Sequence, residues 1–371
     1  MKRLFAVFAV LVAMSVIIVA CGGGGGGGGG TTAVTTTQQG AQSAKAGTAA
    51  AQNVLSGQSQ ITGMMNPGSY TGSPVVGKQT NAGKALTLAL QRNMPSIKKA
   101  KAFALKKATQ TQTSNCPDGG TEKFSYDDVN GIPITITYTG CKSGGTVQDG
   151  TIQLTGNADM TSMNIAVNMT VIGYDSTYTT KQWQSVDNFS ASLSESSTTF
   201  TMTMNGTHVE DNFASTPKTK EETTFSNVSI SGTDSSTAST MKYDETMNGA
   251  MDFKHYENGT LTSGDNESYG NFKVGYTLNT STNVFTMSID GSFTLATTPA
   301  DSCADGTYVF KTVTPITYDG TKQMFTAGEI SINDTVVVKY TSTGDVQVSI
   351  DGGKTFTSYT DTQFDAMCAN L

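Results

Sequence analysis

Three similar stretches, each ending in an Asn-Gly or Asp-Gly pair, constrain the fold of this 371-residue chain more than any other feature. They are Phe200–Gly206, Met241–Gly249 and Phe285–Gly291, and their glycines stand 43 and 42 residues apart. In each stretch apolar side chains recur at alternate positions, which is the period of a half-buried β-strand. The repeat therefore predicts a β protein.

The apolar alternation continues across the glycines, and this decides whether the pairs are turns. Asn-Gly or Asp-Gly between two apolar runs usually indicates a hairpin. Ile289 precedes Asp290-Gly291 and Phe293 follows it, both at odd positions. A two-residue turn would send Phe293 to the opposite face from Ile289, whereas a continuous strand keeps both on one face. All three glycines are therefore expected within strands.

Turn-forming residues place the chain reversals elsewhere. Pro, Gly, Asn, Asp and Ser gather at 216–218, 233–236, 257–259 and 280–283, which are the predicted turns. Each period is then one up-and-down pair of strands. After Gly206 the alternation fails, so we expect a β-bulge in that strand.

The expected fold is all-β, a long antiparallel meander of roughly ten or more strands, curved into a closed or half-open barrel-like sheet. A short N-terminal helical segment precedes this sheet. A four-stranded propeller blade has a similar period, so a β-propeller is the alternative.

The first 21 residues have the features of an export signal. Two basic residues precede an apolar run from 4 to 19, which is shorter than the ~20 residues that span a bilayer. The run closes in Ile18-Val19-Ala20-Cys21, followed by nine glycines. This motif resembles the lipobox of bacterial lipoproteins. The resemblance implies a signal peptide over 1–20 and acyl chains such as palmitate on Cys21; an ordinary signal peptide is the alternative.

Composition divides the mature chain into three parts. Residues 21–80 are rich in Gly, Thr, Gln and Ala, which indicates a flexible tether. Residues 81–112 are expected to form a basic helical segment, because their apolar positions are compatible with a helix. Residues 113–371 have the period of strands and are expected to form a single β domain.

Charge is distributed unevenly between these parts. The formal charge is +9 over residues 21–117 and −18 over residues 118–371. Seven basic residues between 84 and 107 have no acidic residue in the same stretch, so this segment could lie on a membrane or dock on the acidic body. The acidic body argues against nucleic acid as a partner.

Four cysteines besides Cys21 indicate two disulfides in an exported protein. Three connectivities are possible. We favour Cys116 with Cys141 and Cys303 with Cys368, because each pair closes one local group of strands. The absence of a Cys-x-x-Cys pair argues against a zinc finger or zinc ribbon.

Aligned glycines would remove side chains from the concave face of a curved sheet and leave a trough. Methionine adapts to varied shapes, so the trough could hold an apolar ligand. Bends in the sheet or the basic helical segment could equally fill it, and methionine at strand spacing is also ordinary core. The candidate lining residues are Met202, Met204, Gly206, Met247, Gly249, Met251, Met287, Gly291 and Phe293.

Both histidines occur in a His-x-Glu motif, at 208–210 and 255–257, where the two side chains share a face of a strand. Measured from the repeat glycines, the motifs are offset by about 13 Å along the sheet, too far apart for one ion. No Gly-x-Ser-x-Gly elbow or phosphate-binding glycine loop is present. We therefore expect no metal, cofactor or catalytic residue.

The stretch Ser349–Phe356 resembles the Asp-box of sialidases and of many unrelated β proteins, with Phe at the aromatic position. The resemblance covers eight residues and implies a hairpin turn without catalytic activity.

These features favour a non-enzymatic, lipid-anchored protein of the bacterial cell envelope with a structural or binding role. Its partner is the membrane, reached through Cys21. The outer membrane is the expected location, because Gly22 follows the family's sorting rule for onward export, and either face of that membrane is possible. The alternative is a periplasmic carrier of a lipid or another apolar molecule, similar in outline to half-barrel carrier lipoproteins.

Overall fold

The computed structural model describes residues 40, 44, 111–126, 133–157, 162–196, 198–237, 239–300, 305–360 and 363. These residues form sixteen strands in one antiparallel sheet, and the order of the strands in the sheet follows the sequence. The order runs from β1 at one edge to β16 at the other, so the sheet is open. The predicted all-β antiparallel meander is confirmed, and a propeller is excluded because the strands belong to one sheet.

The strand bounds are as follows. The first eight strands are Thr111–Asn115 (β1), Thr121–Tyr126 (β2), Ile134–Ser143 (β3), Thr146–Gly156 (β4), Ser162–Tyr174 (β5), Lys181–Glu195 (β6), Thr199–Asn212 (β7) and Thr219–Asp234 (β8). The remaining eight are Thr240–Glu257 (β9), Thr260–Asn279 (β10), Val284–Thr298 (β11), Gly306–Asp319 (β12), Met324–Ile332 (β13), Val336–Tyr340 (β14), Val346–Ser349 (β15) and Thr357–Tyr359 (β16). All four predicted turns lie at junctions between strands, although 233 and 234 still belong to β8 and 257 still belongs to β9.

The described residues belong to two compact units. The N-terminal unit comprises 111–229 and 251–264. The C-terminal unit comprises 230–250 and the residues from 265 onward, together with Gly40 and Ala44. The single β domain expected over 113–371 stays a prediction.

Alternate residues form the core of the N-terminal unit. Along β5, Met163, Ile165, Val167 and Met169 are buried, and the register with β6 pairs Val167 with Phe189. Burying a side chain of this size contributes about 1.5–3 kcal/mol relative to leaving it exposed.

Aromatic side chains dominate the core of the C-terminal unit. The ring centroids of Tyr269 and Phe293 lie 5.2 Å apart, and those of Phe272 and Phe310 lie 6.0 Å apart in an edge-to-face arrangement. Such pairs stabilise a core beyond the effect of area burial alone. The period-two pattern of large apolar residues therefore accounts for both cores.

The three repeat glycines lie inside β7, β9 and β11, as predicted. Gly206 has a φ of +129° and Gly291 a φ of +105°, a region that other residues rarely adopt. A Cβ atom at Gly206 would also collide with the carbonyl of Asn188, and one at Gly291 with that of Asn271. Close approach of the neighbouring backbone, more than removal of a side chain from a trough, explains these glycines.

The residue before each glycine bridges to the next strand. The side-chain oxygen of Asn205 accepts the N–H of Asn227 at 2.6 Å, and that of Asn248 accepts the N–H of Asn271 at 2.6 Å. Asn227 and Asn271 both have positive φ. In β8 the buried residues are odd-numbered before Asn227 and even-numbered after it, and β10 changes in the same way at Asn271. The bulges therefore lie on the strands that follow the repeats.

The bulge expected after Gly206 is not found between β6 and β7. Their register is continuous from Phe200 to Asn212. The inward position after the glycine is occupied by His208, which is buried. The prediction failed because a polar residue at an inward position looks like a break in an apolar pattern.

Before β1 the structure describes Gly40 and Ala44 alone, and both are helical and buried. They lie inside the stretch predicted as a flexible tether, which otherwise falls outside the described residues and stays a prediction. The predicted helical segment over 81–112 falls outside the described residues, except that 111 and 112 belong to β1. Within the described parts of the chain, no helix is both long and apolar enough to cross a bilayer.

Candidate functional site

The inner face of β6 and β7 changes from apolar to polar along the strands. At one end it presents Phe189 and Met204, which are buried. At the other end Ser185 lies opposite Glu210, and Asp187 lies opposite His208. We call Ser185, Asp187, His208 and Glu210 the polar patch of the N-terminal unit.

The geometry of the polar patch centres on His208. Its Nδ1 lies 2.7 Å from Asp187 Oδ1, and the side chains are 2% and 1% exposed. Its Nε2 lies 4.0 Å from Glu210 Oε2, beyond hydrogen-bond distance. The buried hydroxyl of Ser185 has no hydrogen-bond partner among the described residues. An imidazole held by one carboxylate thus lies near a second carboxylate, and the Ser185 hydroxyl is on the residue opposite that second acid.

The second histidine repeats this arrangement nearer the surface. His255 Nδ1 lies 3.3 Å from Glu221 Oε1, and its Nε2 lies 3.8 Å from Glu257 Oε1. Each histidine therefore has a cross-strand carboxylate at Nδ1 and the glutamate of its own motif near Nε2. In the described ranges, no group of three or more His, Cys, Asp or Glu residues is arranged to hold a metal ion.

The C-terminal unit contains buried carboxyl groups of its own. Glu245 lies on β9 between Tyr243 and Met247, and its Oε1 has no hydrogen-bond partner among the described residues. Burial, and secondarily the charge of Asp244, raises the pKa of the Glu245 carboxyl to about 8.

Tyrosines lie beside these acids. The rings of Tyr243 and Tyr276 stack with centroids 5.1 Å apart. Burial, followed by the Glu245 charge, raises the pKa of Tyr276. The fully buried Glu267 accepts a hydrogen bond from the hydroxyl of Tyr269 at 2.8 Å. The Tyr269 hydroxyl is thus a neutral donor that satisfies one oxygen of a buried acid.

The side chains predicted to line a trough are core residues in this structure. All six are at most 1% exposed: Met202, Met204, Met247, Met251, Met287 and Phe293. They are distributed over both units. No open apolar surface is formed by these side chains.

The predicted Cys116–Cys141 disulfide is present, with Cα atoms 5.4 Å apart. Nearby, Asp118 accepts hydrogen bonds from the Tyr178 hydroxyl at 2.7 Å and from the N–H of Gly144 at 3.0 Å. These bonds hold the pKa of Asp118 below its usual value. The disulfide and these bonds join three loops at one end of the strands. Cys21, Cys303 and Cys368 lie outside the described residues.

The Asp-box-like stretch forms the expected turn. Asp351 accepts hydrogen bonds from the Ser349 hydroxyl at 2.7 Å, from the Thr355 hydroxyl at 2.7 Å and from the Lys354 N–H at 3.0 Å. These bonds, chiefly that of Ser349, hold the pKa of Asp351 far below its usual range. The carboxylate thus organises a tight turn.

The outer face of the N-terminal unit has a shallow polar depression of about 300 Å³ across β4 to β7. Ser192 and Thr203 share a hydrogen bond of 2.6 Å there. The face presents neutral hydroxyls and amides in place of convergent catalytic groups. Its lining residues are Gln153, Thr155, Asn164, Ile165, Ala166, Ser190, Ala191, Ser192 and Thr203.

Sequence reasoning missed the acids of the two interiors, Asp187, Glu245 and Glu267. A signal was present for two of them. Asp187 is two positions from Phe189, and Glu245 is two positions from Met247, so in a strand each acid lies on the same face as its apolar neighbour. A charged residue at an inward position indicates a buried polar site when the alternation of apolar residues continues on both sides of it. No protein-family model matches this chain, and no curated protein matches its sequence.

Proposed function

We propose that this protein is a non-enzymatic, lipid-anchored protein of the bacterial cell envelope, whose β body has a structural or binding role. The observation that supports this most is the Cys116–Cys141 disulfide. Disulfides persist in oxidising compartments outside the cytoplasm. This agrees with the export signal over 1–20 and with Cys21 as the anchoring residue.

The buried histidine supports a structural role for the polar patch. His208 is engaged by Asp187, and both are almost completely buried, so a substrate cannot approach the imidazole without opening the sheet face. Groups that exchange protons with substrates need to reach them within hydrogen-bond distance. The second pair, at His255, is more exposed but is likewise engaged by its own carboxylates.

Replacing Cys21 tests the anchor. Cys21→Ser removes the thiol that carries the lipid, so we expect the protein to move from the membrane fraction to the soluble fraction and to lose labelling by a palmitate analogue. Thr31→Ser is the matched control, because it alters the same stretch without touching the thiol. Continued sedimentation of Cys21→Ser with membranes would refute lipidation as the anchor.

A further inference from the structure

The outer face of β4 to β7 carries a regular array of uncharged side chains. The registers between these strands place four outward residues side by side in each of three rows. Of these twelve residues nine are exposed and three are half-buried. All of them carry a hydroxyl or an amide except Ala166. The rows are Thr151, Asn168, Asn188 and Thr207; then Gln153, Ala166, Ser190 and Asn205; then Thr155, Asn164, Ser192 and Thr203.

The charge of the outer face changes at the next strands of the same unit. On β8 the outward Lys220 pairs with Glu222, and on β9 Lys254 pairs with Asp252. Residues 118–371 carry a formal charge of −18, so the body repels anionic polymers. An electrically neutral ligand matches the uncharged array and avoids this repulsion.

The chemistry of the array also selects the kind of neutral ligand. Hydroxyls and amides each donate and accept hydrogen bonds, whereas a carboxylate only accepts them and an ammonium only donates them. The hydroxyl and acetamido groups of sugars have the same double capacity. The array is therefore suited to a ligand with many such groups on one side.

The shape of the face favours an extended ligand. The depression of about 300 Å³ lies over two of the rows, between Gln153 on β4 and Thr203 on β7. Ala166, the smallest side chain of the array, lies between Gln153 and Ser190. Neighbouring strands lie ~4.8 Å apart, which is close to the length of one sugar ring in an extended glycan. A glycan that crosses the strands thus presents about one sugar to each strand.

We propose that the outer face of β4 to β7 binds a neutral, extended polysaccharide across the strands at this depression. Its hydroxyl or acetamido groups exchange hydrogen bonds with side chains such as Gln153, Asn164 and Ser190. This inference rests on the binding role proposed above and names the ligand class. The lipid anchor is tested separately through Cys21, so either proposal can fail alone.

Affinity electrophoresis in native gels tests the proposal. The protein is the full mature chain carrying Cys21→Ser, and the gels contain hydroxyethyl cellulose or glycol chitin, which are neutral, or carboxymethyl cellulose, which is anionic. We expect mobility to fall about twofold with at least one neutral glycan, because many weak contacts act together, and to stay unchanged with the anionic glycan. Unchanged mobility with both neutral glycans would overturn the proposal, and so would equal retardation by the anionic one.

The length of the glycan should control its affinity. None of the twelve array positions has an aromatic side chain on which a sugar ring could stack, so each sugar contributes little. In calorimetry with oligomers of the retarding glycan, the monosaccharide should not bind, and affinity should rise up to about four sugars, one for each strand. Equal affinity for the monosaccharide and the tetramer would contradict binding across the strands.

An arginine in the depression locates the site. Ala166→Arg places a long charged side chain at its centre, where a neutral glycan supplies no opposite charge, and should weaken binding about tenfold. Thr113→Arg is the matched control, because Thr113 is exposed on β1 of the same unit, three strands away from β4. This control should bind as the unsubstituted chain does. Unchanged binding by Ala166→Arg would contradict the assigned site.

A second variant covers the case in which the arginine disturbs the sheet. Gln153→Ala combined with Asn164→Ala only shortens two exposed side chains. Loss of their hydrogen bonds should weaken binding about tenfold without changing the midpoint of thermal unfolding. Full binding by this variant would likewise count against the site.

A second copy of the chain is the competing occupant of this face. Serine is depleted at the centres of protein interfaces, and two acidic bodies repel each other, so we expect a monomer in sedimentation velocity. A dimer that Ala166→Arg abolishes, in a chain that neither neutral glycan retards, would assign the face to self-association and overturn the proposal.

Discussion

Charged residues at inward positions of the strands are the most informative single residues in this molecule. Glu245 and Glu267 are buried in the C-terminal unit, and Asp187 and His208 are buried in the N-terminal unit. The Tyr269 hydroxyl donates a hydrogen bond to Glu267, and the imidazole of His208 is hydrogen-bonded to Asp187. A buried carboxyl such as that of Glu245 lowers the stability that an apolar residue of the same volume would provide, and makes that stability depend on pH.

Glu245 should make the stability of the C-terminal unit fall as pH rises. Its folded-state pKa of about 8 exceeds the unfolded value, so the folded chain holds a proton that the unfolded chain has lost. The cost grows from about pH 4.5 to pH 8, by roughly 5 kcal/mol in total. In Glu245→Gln this loss should disappear between pH 5 and pH 8, as measured by chemical denaturation. Glu329→Gln, outside the buried cluster, is a control that should keep it.

A parallel pH dependence in wild type and Glu245→Gln would show that another group is responsible. The sequence could have indicated this site, because Glu245 occupies a position in the alternation of inward-facing residues within a strand that was correctly predicted. It could not have indicated how deeply the carboxyl is buried, since that depends on residues distant in sequence.

At the scale of elements, the Asx-Gly pair is a repeated device that couples neighbouring strands. The Asx side chain takes a backbone N–H from a bulged residue, and the glycine allows the adjoining backbone to come close. A related pair lies in β4, where Asp149 accepts the N–H of Gly140 at 2.6 Å beside a register shift. These bulges fix where the long strands bend.

A comparison of Gly206→Ala with Gly259→Ala separates the two reasons for glycine in this arrangement, which are the positive φ and the close approach of the neighbouring backbone. Gly206 needs both a positive φ and room for a neighbouring carbonyl, whereas Gly259 in the β9–β10 turn has positive φ with open space around it. We expect Gly259→Ala to cost ~1 kcal/mol and Gly206→Ala to cost about 3 kcal/mol or more in the free energy of unfolding. Similar costs for both variants would show that φ alone demands glycine.

Strands and turns were predictable from the sequence because the alternation of apolar and polar residues along a strand involves only residues that are close in sequence. The positions of the repeat glycines and all four turns followed from period-two alternation and turn chemistry. The bulges did not, because Asn227 and Asn271 are ordinary polar residues in sequence and acquire their role from the Asx side chain of another strand. His208 was misjudged for the same reason: its partner Asp187 is 21 residues away.

For the whole molecule, the sheet and its anchor are separate inferences with separate evidence. The meander is established by the strand order, while the lipid anchor depends on Cys21 and the export signal. The carrier alternative requires the five methionines of the predicted trough to become accessible, and each of these five is at most 1% exposed. The proposed structural or binding role of the body does not need these side chains to become accessible.

The central claim is that the repeated Asx-Gly pairs lie within long strands of one meander, not at chain reversals. Nitroxide labels at Thr282 and Thr298, measured by double electron–electron resonance, test it directly, because both positions are exposed and flank β11. A continuous strand predicts a separation of about 50 Å at ~3.3 Å per residue. A separation below about 15 Å would place the two labels side by side across a hairpin at 290–291 and would contradict the account.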